Sequence, residues 1–173
     1  MYSNCKIEFG LCLGSNLGDR AENIRRAAAS IAAIEGVEVL ERSPIYETEP
    51  VGVLPENRER FFLNGVLIVN NSLEPGLLLD RLHEIEDNMG RVRTNDRNAP
   101  RTIDIDILYA GDLRIEEARL RVPHPEWFSR RFVVQPLADV RPDLVLPDTD
   151  RTVGEVLLSL PDETKVVLFS EDW

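Results

Sequence analysis

The sequence predicts an α+β fold, with two helices laid on a mostly antiparallel sheet in the order β-α-β-β-α-β. Three observations carry this prediction. Two segments place apolar residues at helical spacing, four others show apolar runs or strict alternation, and the two kinds follow one another in that order. The order is the ferredoxin-like arrangement, with a mixed extension after it. A chain of 173 residues suits a single domain over 1–173, able to bury a core without staples.

The elements can be justified in turn. "KIEFGLCLGS" is mostly apolar and reads as a strand. "DRAENIRRAAASIAAIEG" reads as a helix: Ile24, Ala27, Ile31 and Ile34 share a face, Asp19 suits the cap and Gly36 the stop. "VEVLERSPIYET" reads as one strand, with Val37 and Val39 on one face. "EPVGVLPENRER" is a polar loop. "FFLNGVLIVNN" is a strand. "EPGLLLDRLHEIEDNMG" is the second helix, with Leu78, Leu82, Ile85 and Met89 as its buried stripe, Pro75 in its first turn and Gly90 at its end. "GRVRTNDRNAPR" is a second polar loop, and "TIDIDILYA" a strand. In the extension, "RRFVVQPLADV" suits a short helix, "KVVLF" a late strand and "SEDW" a solvated end. Both polar loops exceed the usual ~4–6 residues, which makes them candidates for function.

Charge narrows the class of partner. The net charge is −11, which argues against a general nucleic-acid binder. No apolar run approaches ~18 residues, so no membrane span is expected. The first residues lack the pattern of a signal peptide. Cys5 and Cys12 are expected as reduced thiols in the first strand, which suggests the cytoplasm. Only Lys6 and Lys165 are lysines; all other basic residues are arginines. Arg91, Arg93, Arg97 and Arg101 form an island with Asp96 as the only acid among them. An arginine island on an acidic protein points to a small anionic ligand, since the guanidinium fork grips phosphate or carboxylate in a bidentate way.

The island runs into "TIDIDIL", where Ile103, Ile105 and Ile107 alternate with Asp104 and Asp106. Successive strand side chains face opposite ways, so the isoleucines face a core and the two carboxylates share the other face, about 6.6 Å apart. Strands are depleted in Asp, and like charges that close repel unless a cation sits between them. Mg²⁺ takes one or two carboxylates together with substrate phosphates. Carboxylates beside arginines therefore point to a metal-bound polyphosphate, against the plainer alternative of a solvated strand face and loop.

Other motifs say less. No P-loop pattern occurs, and "LGSNLG" reads as a strand-to-helix turn. His124 sits between prolines on a rigid extended segment and suits a ligand contact. His83, mid-helix among charged neighbours, reads as part of a solvated face. Phe62 and Asn64 share a strand face, where a ring and an amide suit a flat heterocycle.

"RNAPRTIDIDIL" resembles the signature of the 6-hydroxymethyl-7,8-dihydropterin pyrophosphokinases: a basic residue, a small residue two positions on, Pro-Arg, then D-x-D flanked by aliphatics. "LGSNLGDRAENI", "SPIYETEPVG", "FLNGV", "EDNMGRVR" and "VPHPEWFSRRFVVQPL" are similar to further family segments, in family order. The resemblance implies pyrophosphate transfer from ATP to the hydroxymethyl group of the pterin, with release of AMP, in folate biosynthesis. It implies two Mg²⁺ ions held by Asp104 and Asp106, and phosphates clamped by Arg91 and Arg101 with Arg93 nearby. It places Glu86, His124 and Arg130 against ATP, and Ile107 at the adenine. It places the pterin between Phe62 and Phe132, with Asn64 and the backbone of Thr48 and Val51 reading its edge. Phe62 is often Tyr in the family, and Asn98 stands where some members carry Trp. Loops 48–60 and 91–101 are expected to close over ATP, in a monomer that acts only on small molecules. Two rivals remain: an Mg²⁺-dependent nucleotide hydrolase, and a non-catalytic nucleotide- or metal-sensing module.

Overall fold

A computed structural model describes residues 6–50, 59–92, 99–161 and 165–173. Its centre is β1 (Ile7–Ser15), which pairs antiparallel with β4 (Phe62–Asn71) on one side and β5 (Asp104–Ala110) on the other. Beyond β4 lie β2 (Val37–Arg42), β3 (Ile45–Thr48) and β8 (Val166–Ser170). The sheet runs β5-β1-β4-β3-β8, with β2 also on β4. Between β5 and β8, a small hairpin joins β6 (Ile115–Glu116) to β7 (Arg121–Val122), followed by a 3-10 turn over Trp127–Ser129.

The two sheet faces bury different elements. Phe9, Leu11, Leu13, Leu63, Leu67, Ile105 and Ile107 pack against α1 (Arg20–Ala32) and α2 (Pro75–Asn88). These helices contribute Ile24, Ala27, Ile31, Leu78, Leu82 and Ile85, the stripes expected from their spacing. Cys12, Val66, Ile68, Leu108 and Tyr109 face the other way, against Trp127, α3 (Arg131–Val140) and α4 (Val153–Ser159). The Asp19 side chain caps α1 by accepting from the Glu22 N–H at 3.0 Å. Gly90, at φ +82°, takes the left-handed conformation just beyond α2.

The stretch 37–48 is two strands, not the single strand expected. Pro44 has no N–H to give a ladder, so the run breaks there. Ser43 bridges the gap: its N–H donates to the Val66 carbonyl at 2.9 Å, and its hydroxyl accepts from the Val66 N–H at 2.8 Å.

The late strand expected at "KVVLF" is β8, but the last residues depart from expectation. β8 pairs with β3, and Trp173 is docked on the sheet instead of standing in solvent. Its indole N–H donates to the Ser43 carbonyl at 2.5 Å. Its ring fills the slot left by Gly65, where an added Cβ would come within 3.1 Å of it. The Arg42 guanidinium lies 5.7 Å from the ring centre. Nothing in the polar sequence around Trp173 signals this docking. Truncating the indole exposes the sheet beneath it, so Trp173→Ala is expected to lower unfolding stability by about 2 kcal/mol. A lower urea midpoint with unchanged slope checks this.

Cys12 is a buried free thiol on β1. Burial raises its pKa, and the nearby Asp106 and Asp104 charges raise it further. Cys5 lies outside the described residues. Among the described residues, no helix is long and apolar enough to cross a membrane.

Candidate active site

The carboxylate pair sits where strand alternation puts it. Ile103, Ile105 and Ile107 are buried in the helix-side core, while Asp104 and Asp106 are half-buried. Asp104 pairs with Gly14 of β1, Gly14 with Asn64 of β4, and Asn64 with Tyr46 of β3. Directly opposed residues share a face, so this row crosses four strands on one surface. Gly14 leaves the floor open between Asp104 and Asn64, since a Cβ there would lie 3.0 Å from the Asn64 carbonyl oxygen.

Arginines close on the acidic end. Arg91 donates to Asp104 Oδ1 at 2.5 Å, and Arg101 to Oδ2 at 2.6 Å. Glu86, only 1% exposed, accepts from Arg91 and, at 2.8 Å, from the Ile105 N–H. Arg91 therefore joins the last turn of α2 to β5. Arg93, Val51 and Asn98 lie outside the described residues.

No described side chain hydrogen-bonds to Asp106. Burial, then the charge of Asp104, pushes its carboxyl up to about 7, against the lowering pull of Arg130, Arg91 and Arg101. The folded state therefore binds this proton more tightly than the unfolded chain does, whose value is near 3.8. Between those two values the folded state holds more protons, so stability falls as pH rises through that window. In cation-free buffer, thermal melts are expected to drop between pH 5 and pH 8, and Asp106→Asn to flatten the drop.

His124 is positioned by its backbone. Its N–H donates to the Leu108 carbonyl at 2.8 Å, and its Nδ1 accepts from the Glu126 N–H at 3.2 Å. Burial, then the Arg130 charge, lowers its pKa. A neutral ring bonded this way offers Nε2–H as a donor.

A cavity of about 330 Å³ gathers Glu86, Arg91, Asp104, Asp106, Ile107 and His124. Ile107 is 3% exposed and belongs to the helix-side core, so only a small part of it meets the cavity. Arg101 and Arg130 are not in the wall. Arg130 pairs with Glu126 and lies 5.9 Å from the Phe132 ring centre. Besides apolar lining, the wall adds three basic side chains that sequence reading did not assign to the site: His83, Arg119 and Arg121. His83 is exposed, as expected, but its side chain faces the cavity. The available signal was its place three residues before Glu86, on the same side of α2. Arg119 and Arg121 arrive on the β6–β7 hairpin and carried no such signal.

The other end of the row holds the residues expected to meet a flat ring. Asn64 is 4% exposed and donates to Thr48 Oγ1 at 2.9 Å. Phe62 is half-buried on β4, and Phe132 half-buried at the start of α3, which packs on β4 and β3. None of these four lines the cavity.

The donor set suits a hard cation. Two carboxylates share one face, and burial and the Asp104 charge disfavour the charged form of Asp106 more than Arg130, Arg91 and Arg101 favour it. Among the described residues no cluster of three or more His, Cys, Asp or Glu side chains forms. A cation held here would take two protein ligands and complete its shell with water and phosphate, which is the habit of Mg²⁺.

Comparison with known proteins decides the family. Residues 10–142 match the family model of 7,8-dihydro-6-hydroxymethylpterin-pyrophosphokinase. The chain belongs to this family. A pyrophosphokinase relative from Pseudomonas aeruginosa is 41% identical over 153 residues, covering 88% of this chain and 91% of its own. One from Bacillus subtilis is 42% identical over 130 residues, 75% of each chain. The folic acid synthesis protein of Schizosaccharomyces pombe is 40% identical over 88% of this chain, which spans only 20% of its length. Among solved structures, wild-type HPPK-DHPS of Plasmodium falciparum with pteroate superposes with a TM-score of 0.71 at 17% identity. That match covers 91% of this chain and 43% of the Plasmodium one, and bears on the pyrophosphokinase fold alone.

Proposed function

We propose that this chain transfers the pyrophosphoryl group of ATP to the hydroxymethyl group of 6-hydroxymethyl-7,8-dihydropterin, releasing AMP, as a step of folate synthesis. The observation that carries the reading is β5 of a pyrophosphokinase family member, presenting Asp104 and Asp106 on one face beside Arg91 and Arg101.

ATP occupies the cavity, its base and sugar among Glu86, Ile107 and His124. Its phosphates run toward Arg91 and Arg101, with Arg93 and Arg130 assisting. The pterin stacks between Phe62 and Phe132, and Asn64, with the backbone of Thr48 and Val51, reads its edge. Two Mg²⁺ ions held by Asp104 and Asp106 would neutralise phosphate charge and acidify the hydroxymethyl group. The hydroxymethyl oxygen gives up its proton to solvent and attacks the β-phosphorus in line, the bond from that phosphorus to the α-phosphate oxygen breaks, and AMP leaves with that oxygen. Arg91 and Arg101 exchange Asp104 for phosphate oxygens as the nucleotide arrives. In this way they hold the reactants in line and spread the charge that moves to AMP. We extend the reading to one catalytic domain over 1–173, acting as a cytoplasmic monomer.

Incubation with Mg²⁺, ATP and the pterin alcohol tests it. AMP is expected only when all three are present, and Phe62→Ala with Asn64→Ala is expected to weaken pterin binding about 100-fold. ADP, or AMP formed without pterin, points instead to a nucleotide hydrolase.

A further inference from the structure

The turn from β1 into α1 does more than connect them. Asn16 takes up both backbone polar groups of Arg101: its N–H donates to the Arg101 carbonyl at 3.2 Å, and its side-chain Oδ1 accepts from the Arg101 N–H at 2.7 Å. Ser15 donates through Oγ to the next carbonyl, that of Thr102, at 2.6 Å. Asn23 of α1 braces the turn, with Nδ2 donating to the Leu17 carbonyl at 2.8 Å and to Ser15 Oγ at 3.3 Å. The Arg101 guanidinium meanwhile reaches Asp104 Oδ2 at 2.6 Å. Arg101 is thus held at its backbone by one strand end and at its head by another.

Asn16 is 4% exposed. Its amide orientation is fixed, because only Oδ1 can accept from the Arg101 N–H. The other amide atom, Nδ2, is buried with no hydrogen-bond partner among the described residues. An unsatisfied buried donor lowers stability, so folding alone does not favour asparagine here. What the residue supplies is the grip on Arg101.

We propose that Asn16 is a positioning residue for the transfer reaction: its side-chain carbonyl fixes the Arg101 backbone, so that the guanidinium stands over Asp104 where the phosphates of ATP are to lie. The inference rests on Arg101 being a phosphate clamp, and it assigns Asn16 no contact with either substrate. A displacement near 1 Å at such a clamp is enough to cost up to about 100-fold in rate.

The test is a double-mutant cycle with Asn16→Ala, Arg101→Ala and the double variant. Asn16→Ala is expected to lower kcat/KM for ATP about 30-fold. Affinity for the pterin alone is expected to stay within about twofold of the parent, a readout that general unfolding would not spare. On the Arg101→Ala background, the further loss from Asn16→Ala is expected to be less than about twofold. Losses that multiply in the double variant, or an Asn16→Ala protein as active as the parent, overturn the proposal. If Asn16→Ala does not fold, Asn16→Ser takes its place in the same cycle. If the parent itself makes no AMP from ATP and the pterin, the proposed function has failed. The cycle is then read on affinity for magnesium-bound, non-hydrolysable ATP, where the same non-additivity is expected.

Discussion

Asp104→Ala and Asp106→Ala are each expected to reduce AMP formation by at least about 1,000-fold while leaving the protein folded. Both side chains stand on the open face of β5, opposite Gly14 and Cys12, and neither fills the helix-side core. Each loss removes half of the proposed two-carboxylate cation site. Asp106→Ala also removes a carboxyl held near 7 by burial and by Asp104, so the cation-free variant is expected to melt no lower than the parent at pH 8. Asp104→Ala differs: it frees Arg91 and Arg101 from their shared anchor, so it is expected to weaken ATP binding as well. Rapid-quench measurement of AMP, with circular dichroism on the same samples, checks both. Folded variants that turn over at the parent's rate would remove the basis of the proposed chemistry.

Arg91→Ala is expected to cost both activity and about 3 kcal/mol of stability. Arg91 is the guanidinium that bridges Glu86 and Asp104, and Glu86 is almost wholly buried. Removing it leaves a carboxylate in the interior without that counter-charge, which is far worse than removing an exposed ion pair. Adding Glu86→Gln neutralises the carboxylate and keeps an acceptor for the Ile105 N–H. The double variant is therefore expected to regain most of the stability in urea unfolding and little of the rate, which separates the structural role of Arg91 from its proposed catalytic one.

The order of elements was legible because each carried its own period. The α1 and α2 stripes, and the alternation of Ile103, Ile105 and Ile107 with the two aspartates, are local patterns, and the structure keeps them. Arg91 and Arg101 were legible as a charge island, though nothing local revealed that Arg91 also holds Glu86. What was hidden depends on contacts between distant segments. Trp173 looked like a solvated end because the slot left by Gly65 forms only when β3 and β4 pair. Asn16 looked like turn punctuation because its partner lies 85 residues away. His83 looked solvated because the cavity it faces is closed by the β6–β7 hairpin, which no periodicity announces.

The two-sided character of β5 makes its neighbourhood sensitive to length in a way that it is not to composition. Trading one isoleucine for valine trims a methyl group from the core and leaves the aspartates where they are. Losing a single codon between Arg101 and Asp106 would turn the chain over, setting acids among the leucines of α2 and greasy side chains under the proposed nucleotide site. Variants that survive in this stretch should therefore be swaps, while insertions and deletions should collect in the polar connections on either side.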